Sequence, residues 1–268
     1  MNQVTRSIRA LPTLLRVGVA ETVAYRAEFL VWILVTTQPL VMLALWRSVA
    51  AESPFRGYSS ADFVAYYLSA LIVRNLTGSW VGWQISEEIR LGTMSMRLLR
   101  PIHPYVAFAA GHIAAIPFRV IVGIPVAAIL LFSSGSAALT SEPLQLTVII
   151  PSLALGWFIN FNIVFMLGAV SFFATKTMAL MNVYFGLFSL FSGYLLPIPL
   201  LPSVIRDIAE VMPFRFGFSV PIELMTQHLA SERVAMLLGG QLAWAVASLT
   251  GALLLWRAGV RKFESVGG

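Results

Sequence analysis

The chain has 268 residues, of which 58% are hydrophobic and 11% charged; it carries a net charge of +6 and no cysteine, and its mean hydropathy is +0.83. So little polar surface cannot cover a soluble domain of this length, and a bilayer is the natural solvent for most of it. The missing thiols exclude disulfides and thiolate metal sites. The positive charge is spread along the flanks of apolar segments rather than gathered on one soluble face, which argues against a nucleic-acid partner.

Residues 1–28 read as an interfacial helix. Arg6, Arg9 and Arg16 are spread through the segment among Ile8, Leu11, Leu14, Leu15, Val19 and Val23. That pattern lacks the compact apolar core of a cleavable signal and suits a helix lying in the membrane interface. Pro12 is expected to bend or start it. Six segments then have the roughly 20 apolar residues a spanning helix needs: Phe29–Trp46, Phe63–Trp83, Tyr105–Phe132, Leu144–Phe173, Met178–Leu196 and Met236–Trp256. With the N-terminus inside, eleven basic residues fall in cytoplasmic segments (Arg6, Arg9, Arg16, Arg26, Arg90, Arg97, Arg100, Lys176, Arg257, Arg261, Lys262) against five outside (Arg47, Arg56, Arg206, Arg215, Arg233). The positive-inside rule therefore places both termini in the cytoplasm.

Arg74 and Arg119 fall near the middle of the second and third spans, where a charge is costly unless partnered or wet. Two readings are open. Asn160, Asn162, Asn182, Gln38 or backbone carbonyls hold them as struts, or they face a pathway, with Asn160 and Asn162, where an anionic group supplies the missing charge. All twelve acidic residues lie in loops or at helix ends by these spans. An ion-coupled carrier, which needs an acid near the midplane, is therefore the weaker alternative.

Between the second and third spans, residues 84–104 place Glu87, Glu88 and Arg90 within about one helical turn, followed by Gly92 and the run Leu98-Leu99-Arg100-Pro101. This is a solvated loop or a docking helix, whose charges give specificity while Leu91, Met94 and Met96 fill a groove. Residues 197–235 are interrupted by prolines at 197, 199, 202, 213 and 221, which forbid a continuous span. Between Pro202 and Pro213, Val204, Ile205, Ile208, Val211 and Met212 recur at helical spacing opposite Arg206, Asp207 and Glu210. The region either caps the bundle or re-enters the membrane to close a pathway.

Catalytic chemistry has no foothold. The one Lys-Thr pair, Lys176-Thr177, follows Thr175 where a phosphate-binding loop requires glycine. His103, His112 and His228 are scattered, so no metal or acid–base cluster is expected. The Glu87-Glu88 pair superficially resembles an intramembrane-protease motif, but Gly92 occupies the position that motif gives to arginine.

The order of three further motifs carries a resemblance over nearly the whole chain: Tyr25-Arg26-Ala27-Glu28-Phe29 leading into the first span, E-I-R-x-G-(x)6-L-R-P from Glu88 to Pro101, and Ser192-Gly193-Tyr194-Leu195-Leu196-Pro197 after the fifth. Together they resemble the permease subunits of ABC-2 type ABC transporters, in a bacterial branch. The resemblance implies an all-α polytopic membrane protein with six transmembrane helices, forming a single transmembrane domain with an N-terminal interfacial helix and a proline-broken outer re-entrant region. It implies a second permease subunit, identical or a sister chain, and separate ATPase subunits that bind ATP and Mg, with no cofactor in this chain. Ser86–Arg97 would be the coupling helix, with Glu87, Glu88, Arg90 and Met94 facing the ATPase. Ser192, Gly193 and Pro197, with Ile205 and Ile208 of the helix Ser203–Met212, would form the outer gate. The implied activity is outward movement of a hydrophobic or amphipathic substrate across a bacterial inner membrane by alternating access. A non-transport anchor or sensor that recruits an ATPase is the remaining alternative.

Overall fold

The computed structural model describes residues 3–24, 37–174 and 177–266. The Tyr25–Phe29 motif, the first part of the expected first span and Lys176 lie outside the described residues.

Helix α1 (Gln3–Ala24) contains Pro12 in its interior rather than at its start. It runs beside α6 (Pro104–Ala114). The His103 amide donates to Ser7 Oγ at 2.9 Å, and a Cβ added at Gly18 would lie 3.2 Å from Gly111 Cα and 2.7 Å from Ala114 Cβ. The two contact points advance along both helices by similar lengths, so α1 shares the direction of α6, whatever angle α6 makes with a membrane.

Helices α2 (Gln38–Val49) and α3 (Ser60–Thr77) pack as neighbours. The start of α3 is set by a capping box in which Ser59 and Asp62 satisfy each other's backbone amides. The expected second span does not continue to Trp83. Gly78 turns extended, and a separate helix α4 (Val81–Arg90) begins beyond Trp80. A short α5 (Met94–Leu98) follows. The third span is α6 joined to α7 (Ile116–Phe132) at Ala115, next to Pro117, which has no amide to continue the ladder.

Helix α8 (Pro143–Ala169) is the central post. It packs on α12 (Ser231–Val266), α4, α3 and α11 (Val220–Thr226). Proline occupies the first turn of α2, α6, α7, α8 and α11, where its missing amide costs nothing. Three helical segments are long and apolar enough to cross a membrane: Pro104–Phe132, Pro143–Phe172 and Ser231–Phe263. Helix α9 (Thr177–Phe191) is apolar but shorter. The core is largely aromatic, with Phe161 and Phe165 of α8 meeting Tyr105, Phe108, Trp157 and Trp256.

Candidate functional site

The charged segment after α4 is a hairpin, not the single helix expected over Ser86–Arg97. Gly92 takes φ +75°, a left-handed conformation that reverses the chain without the penalty a Cβ would bring. The reversal brings Arg97 back onto Glu88 in a bidentate ion pair, while the Arg97 guanidinium lies 4.1 Å from the ring centroid of Phe108. Met94 faces inward and is fully buried in the main core, so it anchors the hairpin and cannot be a surface contact as expected. Glu87 and Arg90 pair with each other at the exposed tip. Leu91, Met96 and Leu99 stand beside them in solvent, Leu99 at 82% exposure. Of the residues expected to face a partner, Glu87 and Arg90 are exposed at the tip, Glu88 is paired internally with Arg97 and Met94 is buried, while Leu99, not among them, is exposed.

The Glu88–Arg97 pair is three-quarters buried and holds the hairpin closed. We expect Glu88→Gln or Arg97→Gln to destabilise the chain by about 2 kcal/mol, the scale of a charge-assisted bidentate bond. A double-mutant cycle on thermal unfolding in detergent measures this coupling, and additive single effects would contradict it.

At the other end of α9, Gly193 adopts φ +86° and its carbonyl accepts from Tyr66 Oη at 2.8 Å. Tyr67 Oη and Trp46 Nε1 both donate to the Leu195 carbonyl. The Ser192–Pro197 turn is thus pinned by α2 and α3, with Ser192, Gly193 and Pro197 buried. Beyond it, α10 (Ser203–Val211) packs Ile205 and Ala209 against Ile198 and Leu201, while Val204, Ile208 and Val211 remain exposed.

Residues 213–229 fold back along α8. A turn of π-helix over Arg215–Ser219 leads into α11. The backbone here is held by three amide side chains, of which the sequence reading singled out Asn160 but not Gln145 or Gln241. Asn160 donates to the Gly217 carbonyl, Gln241 to those of Ser152 and Phe216, and Gln145 to those of Leu224 and Gln227. Glu223, expected in a loop, is instead buried in this packing and pairs with Arg215 at 2.9 Å, both side chains being only 6% exposed. Ser219 Oγ donates to the same carboxylate.

Arg74 and Arg119 do not meet the amides expected as struts. Asn160 is committed to Gly217, and Asn162 accepts from Tyr105 Oη. Both asparagines are buried in helix packing rather than along an open wall. Arg119 donates Nη1 to the Gly78 carbonyl at 2.8 Å, one of the backbone carbonyls the strut reading allows, left free by the break between α3 and α4. Its guanidinium lies over Trp80 at 4.6 Å. Arg74 sits among the rings of Phe188, Tyr194 and Phe185 at 4.9, 5.7 and 5.8 Å.

A cleft of about 370 Å³ opens between α1, α4 and α6, lined by Glu21, Glu88, Arg97 and Arg100 as well as by Trp80 and His112. Among the described residues no group of His, Asp and Glu could hold a metal ion.

The assembly is therefore one of long apolar helices, a rigid charged hairpin at one end and a pinned, proline-rich cap at the other. Residues 29–267 match the family model described as ABC-2 family transporter protein, while no curated protein matches the chain. The chain belongs to the ABC-2 family of transporter proteins, as the order of its motifs implies.

Proposed function

We propose that this chain is the membrane-spanning permease subunit of an ATP-driven exporter, with the α4–α5 hairpin as the seat of a separate ATPase. The observation that carries this reading is the hairpin itself. Its inner side is locked by Met94 and the Glu88–Arg97 pair, whereas Leu91, Met96 and Leu99 are left uncovered around the Glu87–Arg90 pair. Apolar anchors ringed by charge are what a docking surface offers, and a locked hairpin transmits a push to α4 and α8 instead of absorbing it.

With six spans in a bacterial inner membrane, as the family resemblance implies, the charge asymmetry favours the orientation that puts the hairpin and both termini inside. The Ser192–Pro197 turn, α10 and the fold-back over 213–229 then form the outer gate, with the fold-back re-entering the membrane. Helix α9 presents Met178, Val183, Leu187 and Leu190 outward, and this face suits a second permease, identical or a sister chain. ATP and Mg belong to the partner ATPase.

The test is to tag the chain, purify it in mild detergent from its native membrane and identify what accompanies it. A P-loop ATPase is expected, and it should be lost when Met96 and Leu99 are both changed to Asp while the chain stays monodisperse. A chain that emerges alone, under conditions that preserve other ABC complexes, would overturn the reading.

A further inference from the structure

Among the described residues, no acidic side chain pairs with Arg74 or Arg119. Arg74 lies in the last turn of α3 and Arg119 in the first turns of α7. Gly78 joins the two: its carbonyl accepts from Arg119 Nη1 at 2.8 Å and its amide donates to the Arg74 carbonyl at 3.1 Å. Arg119 is 2% exposed, and its Nη2 has no hydrogen-bond partner. Arg74 has the Tyr194 hydroxyl as a polar neighbour and is otherwise enclosed by ring faces. Aromatic faces ease the desolvation of a cation without neutralising it, and two like charges held together in an apolar setting repel. A structural strut needs neither the second arginine nor an unused donor.

We infer that Arg74 and Arg119 bind the phosphate group of an amphipathic molecule, with the rings of Phe185, Phe188, Tyr194 and Trp80 beside them to hold its apolar part. This inference rests on the permease reading and gives that permease its substrate class. A phosphate monoester carries up to two negative charges and several acceptor oxygens, which match two guanidinium groups better than a single carboxylate does. The aromatic surroundings favour a phosphate attached to a hydrocarbon over the free ion, because bare phosphate gains nothing from ring faces. The site also sits at the break between α3 and α4, and irregular backbone at membrane depth is tolerated where it is covered by protein or lines a cavity. Access is at hand: Trp80, which carries Arg119 over its ring, is also part of the wall of the 370 Å³ cleft.

The experiment is scintillation-proximity binding of radiolabelled dodecyl phosphate to the purified full chain in neutral maltoside micelles. Saturable binding is expected, displaced by unlabelled dodecyl phosphate and not by dodecyl glycerol, its neutral counterpart. Arg74→Gln and Arg119→Gln should each weaken it by about tenfold or more, the scale of one charge-assisted contact. Displacement by inorganic phosphate as effective as that by dodecyl phosphate would overturn the amphipathic part and assign the site to the free anion. Binding that is unsaturable, equally displaced by dodecyl glycerol, or unchanged in Arg74→Gln would overturn the site altogether. Should Arg119→Gln fail to remain monodisperse, Arg74→Gln decides, because the Arg74 side chain makes none of the backbone hydrogen bonds that Arg119 makes. The assay needs no ATPase, so its failure beside successful ATPase copurification would leave the permease reading standing, and the reverse result would sink that reading alone.

Discussion

Glu223→Ala should lower stability by about 3 to 5 kcal/mol, the cost of leaving a buried guanidinium without its partner. Arg215 directs Nε and Nη2 at the two carboxylate oxygens, at 3.2 and 2.9 Å, and Ser219 adds a third hydrogen bond. Among the described residues, Glu210 is the other acid paired with Arg215, at 3.7 Å and nearly half exposed. At that distance and exposure it does not replace the short bidentate contact that Glu223 makes. The consequence reaches beyond the pair: Gly217, two residues from Arg215, packs so closely on Asn160 that an added Cβ would come within 2.6 Å of its Oδ1. Loosening Arg215 therefore frees the whole fold-back from α8. Replacing both members with Met, which removes the charges together, should recover most of the loss, since a buried pair and an apolar pair of similar volume are often close in stability. Thermal unfolding of the purified chain in detergent, read by loss of the monodisperse peak, distinguishes these outcomes. An unchanged midpoint for Glu223→Ala, or a double variant worse than either single one, would show that the pair does not hold the fold-back.

The sequence made the long helices legible because hydropathy over twenty residues is a strong signal and the prolines at 104 and 143 mark their starts. It concealed whatever depends on a change of direction. The segment Leu76–Trp83 dips at Thr77-Gly78-Ser79, a small-residue signal for the break between α3 and α4 that hydropathy averaged over twenty residues smooths away. On one continuous helix, Glu87, Arg90 and Met94 follow the i, i+3, i+7 pattern and share a face. The left-handed turn at Gly92 resets that phase, turns Met94 inward and leaves Leu99 outside. Glu223 lies eight residues from Arg215 in a segment cut by Pro213 and Pro221, with no periodicity to bring the two together. Arg74 and Arg119 were legible as costly charges, yet their actual neighbours, a freed carbonyl and four aromatic rings, follow from tertiary packing alone. The resemblance to the family rests on motif order; the range matched to the family, residues 29–267, holds the second and third motifs and Phe29 of the first.

Gly168→Val is expected to destabilise the chain by about 3 kcal/mol, at the upper end of ordinary overpacking, because the obstacle is backbone rather than a movable side chain. A Cβ at Gly168 would lie 2.8 Å from Gly82 Cα, 3.0 Å from the Gly82 carbonyl oxygen and 2.9 Å from Ile85 Cβ. The contact is reciprocal, since a Cβ at Gly82 would lie 2.6 Å from the Val164 carbonyl oxygen and would also strike Met181. Helices α4 and α8 thus meet backbone to backbone, as helices in lipid do when small residues let them approach and no water drives them together. Since α4 carries the hairpin, a valine that pushes it off α8 also displaces Leu91, Met96 and Leu99 from their common surface. ATPase copurification should therefore fall together with thermal stability. Gly239→Val on α12 is the control, because nothing lies within 4 Å of the added carbon; the same β-branched residue there should leave stability unchanged or raise it by a few tenths of a kcal/mol, roughly the margin by which glycine is the poorer helix former. Equal melting midpoints for the two variants would mean that α4 yields without cost, and the rigid link from the hairpin to the central post would have to be abandoned.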